Sequence, residues 1–175
     1  TWTKPSNGTI AHIWIWGGGG CGSFQNNGAG VGGGGGACCY QLIKLSDLPS
    51  TVSIVIGKGG SSHLGGEVGE SGQNSTFATT SDSYYMMAGG GSGGGSGTGG
   101  EGGKPFGPHP LINAKLTAYD GGQGGSSSNT GANAVFGGAG GGGGAGGAAS
   151  RSSMGGNGGA NRTAGNVPGG GGGSR

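Results

Sequence analysis

Cysteine, histidine and a glycine fingerprint are the features of this chain that could do chemistry. Cys21, Cys38 and Cys39 are its three cysteines. No pair has the C-x-x-C spacing of a zinc or redox site. A bridge from Cys21 to Cys38 or Cys39 is one reading; three small buried thiols is the other, and the one preferred. His12, His63 and His109 lie far apart and fit no metal motif. Gly17-x-Gly19-x-x-Gly22 follows an apolar run, as a dinucleotide fingerprint would. That fingerprint needs a helix next, to hold a pyrophosphate at its N-terminus. Ser23 to Gly28 has no helical periodicity, so the match is what glycine abundance produces by chance. Gly57-Lys58 fails as a phosphate loop, because Gly59 follows where Ser or Thr would hold magnesium. No nucleophile–base pair and no carboxylate pair stands out. The expectation is a non-enzyme without cofactor or metal.

Binding chemistry is better represented. Lys104-Pro-Phe-Gly-Pro-His-Pro110 is stiffened by three prolines and carries Lys104, Phe106 and His109, with Tyr119 and Asp120 downstream. An aromatic anchor on a pre-stiffened loop loses little entropy on binding. These five residues are the candidate receptor contacts. The competing reading makes the loop a tight reversal, with Phe106 plugging the end of a small core.

The elements that must position such a loop are unusual. The chain has 175 residues, of which 56 are glycine, 29% hydrophobic and 8% charged. That is too little apolar material for an ordinary core, yet the net charge of +2 is not that of a disordered chain. No basic patch suggests nucleic acid, and no apolar run is long enough for a membrane-spanning helix. Gly89–Gly103 reads as G-G-x. Gly91, Gly94, Gly97, Gly100 and Gly103 share one phase, while Ser92, Gly95, Thr98 and Glu101 fill the outward one. A second run repeats the rule with Gly137, Gly140, Gly143 and Gly146. Period three is neither helix nor strand. It belongs to a polyproline-II-type helix, which has no internal hydrogen bonds and must bond laterally. The expectation is packed polyglycine-II helices organised around 89–103, with x positions facing solvent. A flexible linker is the alternative.

Short β-branched and aromatic runs supply the rest. Strands are expected at 9–16, 37–45 and 51–57, the last two as an antiparallel hairpin. Two more are expected at 75–79 and 84–88, and 111–119 reads as strand or short helix. His12, Trp14 and Trp16 face away from Ile13 and Ile15, so the first strand is expected at the centre of its sheet. The fold class is mainly β with glycine-rich irregular structure: antiparallel strands in 1–88, polyglycine-II helices in 89–160, and a partly ordered glycine-rich tail in 161–175. The opening Thr1, without methionine or signal-like segment, is read as the start of a fragment or processed product.

Thr1-Trp-Thr-Lys-Pro5, Ile13-Trp-Ile-Trp-Gly-Gly-Gly-Gly20, Gly32–Gly36, Val52-Ser-Ile-Val-Ile-Gly-Lys-Gly-Gly60, Gly72-Gln-Asn-Ser-Thr-Phe77 and Ala88-Gly-Gly-Gly91 occur in an order that resembles the glycine-rich domain of bacteriophage tail fibres and their tip adhesins. The resemblance spans Thr1 to about Ala160. It implies a virion location outside the cell and a host cell-surface receptor, protein or glycan, as partner. It also implies other fibre proteins as neighbours, a homotrimer among the possible assemblies, and neither nucleic acid nor membrane insertion. The alternative is a non-viral glycine-rich structural or ice-binding protein. Ice binding would want a flat face, which Ala139, Gly142, Ala145 and Ala148 could provide and the mixed row of the first run could not.

Overall fold

Alternation of large apolar residues sets the strands. A computed structural model describes residues 1–24, 30–61, 68–78, 85–95, 97–106, 117–126, 128–144, 147–160 and 162–174. The strands are β1 (Trp2–Thr3), β2 (Ile10–Trp16), β3 (Cys38–Lys44), β4 (Thr51–Val55), β5 (Ser75–Ala78), β6 (Tyr85–Ala88), β7 (Pro105–Phe106) and β8 (Thr117–Tyr119). All pairings between them are antiparallel, in two sheets ordered β1-β4-β5-β6-β7 and β2-β3-β8. The fold is thus mainly β, with one short 3-10 turn among the described residues, at Leu45–Asp47.

The sheets pack face to face, β2 and β3 of one against β5 and β6 of the other. Ile13, Cys39 and Ile43 come from the three-stranded sheet; Val52, Phe77, Met86 and Ala88 come from the other. Phe77 and Met86 are cross-strand partners on the buried face. Leu45 and Leu48 close the core.

Two expectations about the strands need correction. The hairpin of 37–45 with 51–57 does not form. Leu45 and Leu48 bury their side chains between the two strands, and the Lys4 ammonium donates to both their carbonyls. These contacts turn the chain out of one sheet and into the other. β3 therefore pairs with β2 and β8, and β4 with β1 and β5. The first strand is not central either: β2 is an edge and β3 the middle strand. Its large outward residues are covered by stacking among themselves, as described below, rather than by another layer. For 111–119, the described part Thr117–Tyr119 is strand.

Between the runs of strand lies a block of glycine segments that are neither helix nor strand. Its centre is Gly32–Ala37. The successive N–H groups of Gly32, Gly33 and Gly34 donate to Gly125, Gly172 and Ser92. Those of Gly35, Gly36 and Ala37 donate to Gly122, Gly169 and Gly89, so each direction recurs every third residue. The carbonyls of Gly32, Gly33 and Gly34 accept from Gly100, Gly141 and Gly20, and those of Gly35, Gly36 and Ala37 from Gly103, Gly138 and Gly17. Six segments thus surround this one: 17–23, 89–92, 100–103, 122–125, 138–141 and 169–172. A β-carbon on Gly34 would overlap the Glu101 carbonyl, and one on Gly35 the Gly138 carbonyl. Only glycine permits the approach.

Residues 138–143 repeat the pattern. Gly138 and Gly141 donate to Gly36 and Gly33, Ala139 and Gly142 to Gly156 and Gly159, and Gly140 and Gly143 to Ala132 and Asn129. The organising element is therefore 32–37, with 138–143 as a second centre, and not 89–103.

The run 89–103 is folded back on itself. Gly89 donates to Lys104, Ser92 to Glu101 and Gly95 to Thr98, the register of two antiparallel halves. Gly97 sits at the reversal with φ +87°, exposed and with nothing within 4 Å of its β position. It is not a packing glycine, although Gly91, Gly94, Gly100 and Gly103 of its phase are buried. Ser92, Thr98 and Glu101 are exposed. The second run also turns, at Gly144 (φ +50°), so that Gly147 and Ala148 come back against Gly142. Here the x positions Ala139 and Gly142 do not face solvent, because this stretch has neighbours on all sides, whereas Ala148, past the turn, is exposed. Gly140 and Gly143 are buried; Gly146 lies outside the described residues. The tail is likewise not a loose end. Gly169–Gly173 threads between Gly17–Gly22, Gly33–Gly36 and Ala139, and Ser174 is fully buried.

Candidate functional site

Strand alternation sends His12, Trp14 and Trp16 to the face of the three-stranded sheet that points away from the core. Trp14 lies opposite Tyr40 in register, and Trp16 opposite Cys38, which lies opposite Tyr119. The rings meet. Trp14 stacks on Tyr40 at 4.1 Å between centroids, on Trp16 at 5.7 Å and on Phe136 at 6.0 Å. Phe136 stacks on Tyr119 at 4.2 Å. The Trp16 indole N–H donates to the Phe136 carbonyl at 2.8 Å, fixing that residue over the sheet. His12 tilts against Tyr40 at 6.4 Å. Each aromatic pair is worth about 0.5–1.5 kcal/mol beyond its burial. The result is a rigid aromatic platform, half-buried, with His12 exposed at its rim.

Of the sequence-derived candidates, Lys104 and Asp120 come together. The Lys104 ammonium donates to the Asp120 carboxylate in an exposed ion pair. The hydrogen bond to Asp120, and its charge, raise the Lys104 pKa. Backbone bonding places them: Gly121 donates to Gly103, holding the two stretches side by side. Phe106 is exposed, on the edge strand β7 beside β8. It therefore does not plug the core; Leu45 and Leu48 do that. Tyr119 belongs to the platform through Phe136. His109 lies outside the described residues. The stretch thus offers an ion pair and one exposed aromatic ring at the edge of a larger aromatic surface.

Trp14, Trp16, Tyr40 and Phe136 are the residues that sequence reasoning missed as a site. The period-two spacing of His12, Trp14 and Trp16 was the available signal; Phe136, 120 residues from Trp16, had none.

On the other side of β2, beside β4, runs an apolar cleft of about 440 Å³ lined by Trp2, Ile13, Ile15, Ile54, Ile56 and Phe77.

The cysteines divide by face. Cys38 and Cys39 are both fully buried, Cys38 under the platform and Cys39 in the core, and Cys21 sits in the glycine block. None of the three is in a disulfide. Burial, then the neighbouring Cys39, pushes the Cys38 thiol up to about 12. Burial pushes Cys39 to about 11 against the opposing pull of a backbone hydrogen bond from Phe106. Such thiols are poor nucleophiles and poor metal ligands. Among the described residues no group of three His, Cys, Asp or Glu side chains could hold a metal ion. No helix among them is long and apolar enough to cross a membrane.

What the arrangement can do is stack and hydrogen-bond a ligand against a surface fixed from below. No curated protein matches the chain. The family model described as "Glycine-rich domain" matches residues 1–175, the full length given. The chain belongs to that glycine-rich domain family.

Proposed function

We propose that this chain is a structural and receptor-binding domain of a bacteriophage tail fibre, in which packed polyglycine-II helices hold side chains out for attachment to a host surface. The observation that carries the scaffold half is the three-residue recurrence of hydrogen-bond direction around Gly32–Ala37. A left-handed helix with three residues per turn produces that recurrence, and a two-fold strand does not. Backbone chemical shifts at Gly33–Gly36 test it. Values for φ near −75° and ψ near +145° are expected, and strand values would refute it.

The attachment half rests on the aromatic platform and its rim. Glycine segments spend their polar groups on one another and leave little for recognition, whereas Trp14, Phe106, Tyr119 and the Lys104–Asp120 pair are presented on rigid backbone. The receptor is a host-surface protein or glycan; other fibre proteins are neighbours, and a homotrimer is one available assembly in the virion. The purified domain should compete with phage for adsorption. Combined Trp14→Ala and Phe106→Ala replacement should abolish that competition while the protein still melts cooperatively. Undiminished competition removes the platform from the attachment role.

The ice-binding alternative is not favoured. Ala139 and Gly142 are buried, so the flat row they would need does not reach solvent.

A further inference from the structure

Among the described residues, the glycine block has an open lateral position beside Gly17–Ser23. Around Gly17–Ser23 the N–H groups run in the same three-residue cycle. Gly17, Gly20 and Ser23 donate to Ala37, Gly34 and Val31, and Gly18 and Cys21 donate to Gln73 and Glu70. The third direction belongs to Gly19 and Gly22. Both residues are buried, and neither N–H has an acceptor among the described residues. The carbonyls on either side of that direction are occupied: Gly19 accepts from Gly60 at 2.9 Å and Gly20 from Gly172 at 2.8 Å. The vacancy therefore lies between segments 59–60 and 170–173. A groove of about 220 Å³ is found there, lined by Gly19, Cys21, Gly59, Gly60, Gly172 and Thr163.

A separate feature marks the same place. A β-carbon on most packed glycines would overlap a neighbouring carbonyl. One on Gly59 or Gly172 would have its nearest neighbour at 3.5 Å, an ordinary contact. These two glycines are close-packed on one side only, and both line the groove. The row at Gly90 and Gly93 is handled differently. The N–H groups of Gly90 and Gly93 are capped by Asn74 Oδ1 and Ser71 Oγ at 2.9 and 3.1 Å. Buried backbone donors are nearly always paired, and no side chain among the described residues does this for Gly19 and Gly22.

We infer that this groove is a binding site for a glycine-rich segment of a partner chain, docked as one more laterally bonded helix. The spacing specifies the ligand. Two donors three residues apart, about 9 Å along a polyproline-II axis, call for carbonyls repeating at that interval. The walls on both sides call for glycine on two phases of three, with a side chain allowed on the third. The inference rests on the polyglycine-II reading above and assigns it a partner surface away from the aromatic platform.

The test is amide exchange and nitrogen–proton correlation spectroscopy on the whole chain. A capped peptide of Gly-Gly-Ser repeats serves as probe, and one of Gly-Val-Ser repeats as control. In the free protein the Gly19 and Gly22 amides should exchange faster than those of Gly20 and Cys21. Gly-Gly-Ser peptide should shift and protect Gly19 and Gly22 saturably. The control should bind at least about tenfold more weakly, the equivalent of one lost hydrogen bond or more. Gly59→Val, whose β-carbon would lie in ordinary contact with the Gly19 carbonyl at 3.5 Å, should fold normally and abolish the response. No response at Gly19 and Gly22, or one that survives Gly59→Val, overturns the site. Self-association removed by Gly59→Val would overturn the partner chain as occupant in favour of a second copy. Fast exchange at Gly33 and Gly35 would instead overturn the polyglycine packing itself, so the two failures are distinguishable.

Discussion

The sheet sandwich and the glycine block are opposite solutions to the same shortage of apolar residues. In the sandwich, Phe77, Met86, Val52 and Ile43 bury side chains, and the backbone is spaced to make room for them. In the block, Gly32–Gly36 has no side chains to bury and the backbones close on one another. The first region is damaged by taking atoms away. The second is damaged by adding them. Order in a chain this poor in large apolar residues thus depends on two kinds of fit, and their sensitivities should separate cleanly.

The sharpest way to break the comparison is Gly34→Val. Its side chain would overlap the Glu101 carbonyl at the middle of the block and force several segments apart. With about 1–3 kcal/mol lost for each buried backbone group left unpaired, the protein should fail to show a cooperative melt. A normal melting temperature would mean the block is not packed as described. Met86→Ala addresses the sandwich. Met86 is fully buried, and truncation should cost about 2–5 kcal/mol in chemical denaturation. A similar loss on adding a methyl there would blur the contrast.

Alkaline pH probes the boundary between the regions through Cys38 and Cys39. Their folded pKa values, about 12 and about 11, lie above the ordinary value of 9.0. Only the unfolded chain then releases these protons just above pH 9. Stability from these groups is fully present below pH 9 and is lost as pH rises toward 11 and 12, by about 1.4 kcal/mol per unit for each thiol. Denaturation midpoints measured from pH 8 to pH 11 should fall accordingly, and fall less in Cys38→Ser. Flat midpoints would show that the thiols are not buried.

Gly97→Ala is milder. The residue is exposed, so the penalty is that of a left-handed backbone alone, about 1 kcal/mol. Gly100→Ala, one phase step away and meeting the Ser92 carbonyl, should cost clearly more. Equal losses would contradict the reversal at Gly97. Smallest of all is Lys104→Met, which removes an ion pair whose partners are 72% and 54% exposed. It should leave the melting temperature unchanged within error.

How much of this was legible follows the same division. β2, β4 and β5 could be read because Ile, Val, Thr and Trp alternate there over several residues. Their partners could not. The exchange of sheets at Leu45–Leu48 depends on Lys4, some forty residues upstream, reaching two carbonyls. In the block, period three was visible, but the turn at Gly97 keeps the phase while reversing the direction, so composition hid it. Centrality was hidden too. Gly32–Gly36 differs from other glycine runs only in what surrounds it. Of the candidate site, Lys104, Asp120 and Tyr119 were found through the chemistry of their stretch. Trp14 and Trp16 were seen but assigned to a sheet interior, because a strand heavy on both faces usually lies there. Here Phe136 and Tyr119 cover one face instead.

The encirclement of Gly32–Ala37 has a kinetic side. Its six neighbours enter along the chain from Gly17 to Gly172, and the last of them is separated from it by more than a hundred residues. Only the flank 17–23 can form locally, as the continuation of the β2–β3 hairpin; the other five close long loops. Loop closure precedes reward in such a topology, and folding is slow when contacts are distant in sequence. On a ribosome the centre must wait, incompletely paired at Gly33 and Gly36, until Gly169–Gly173 has emerged. The chain's last glycines thus act as a latch on its first ones.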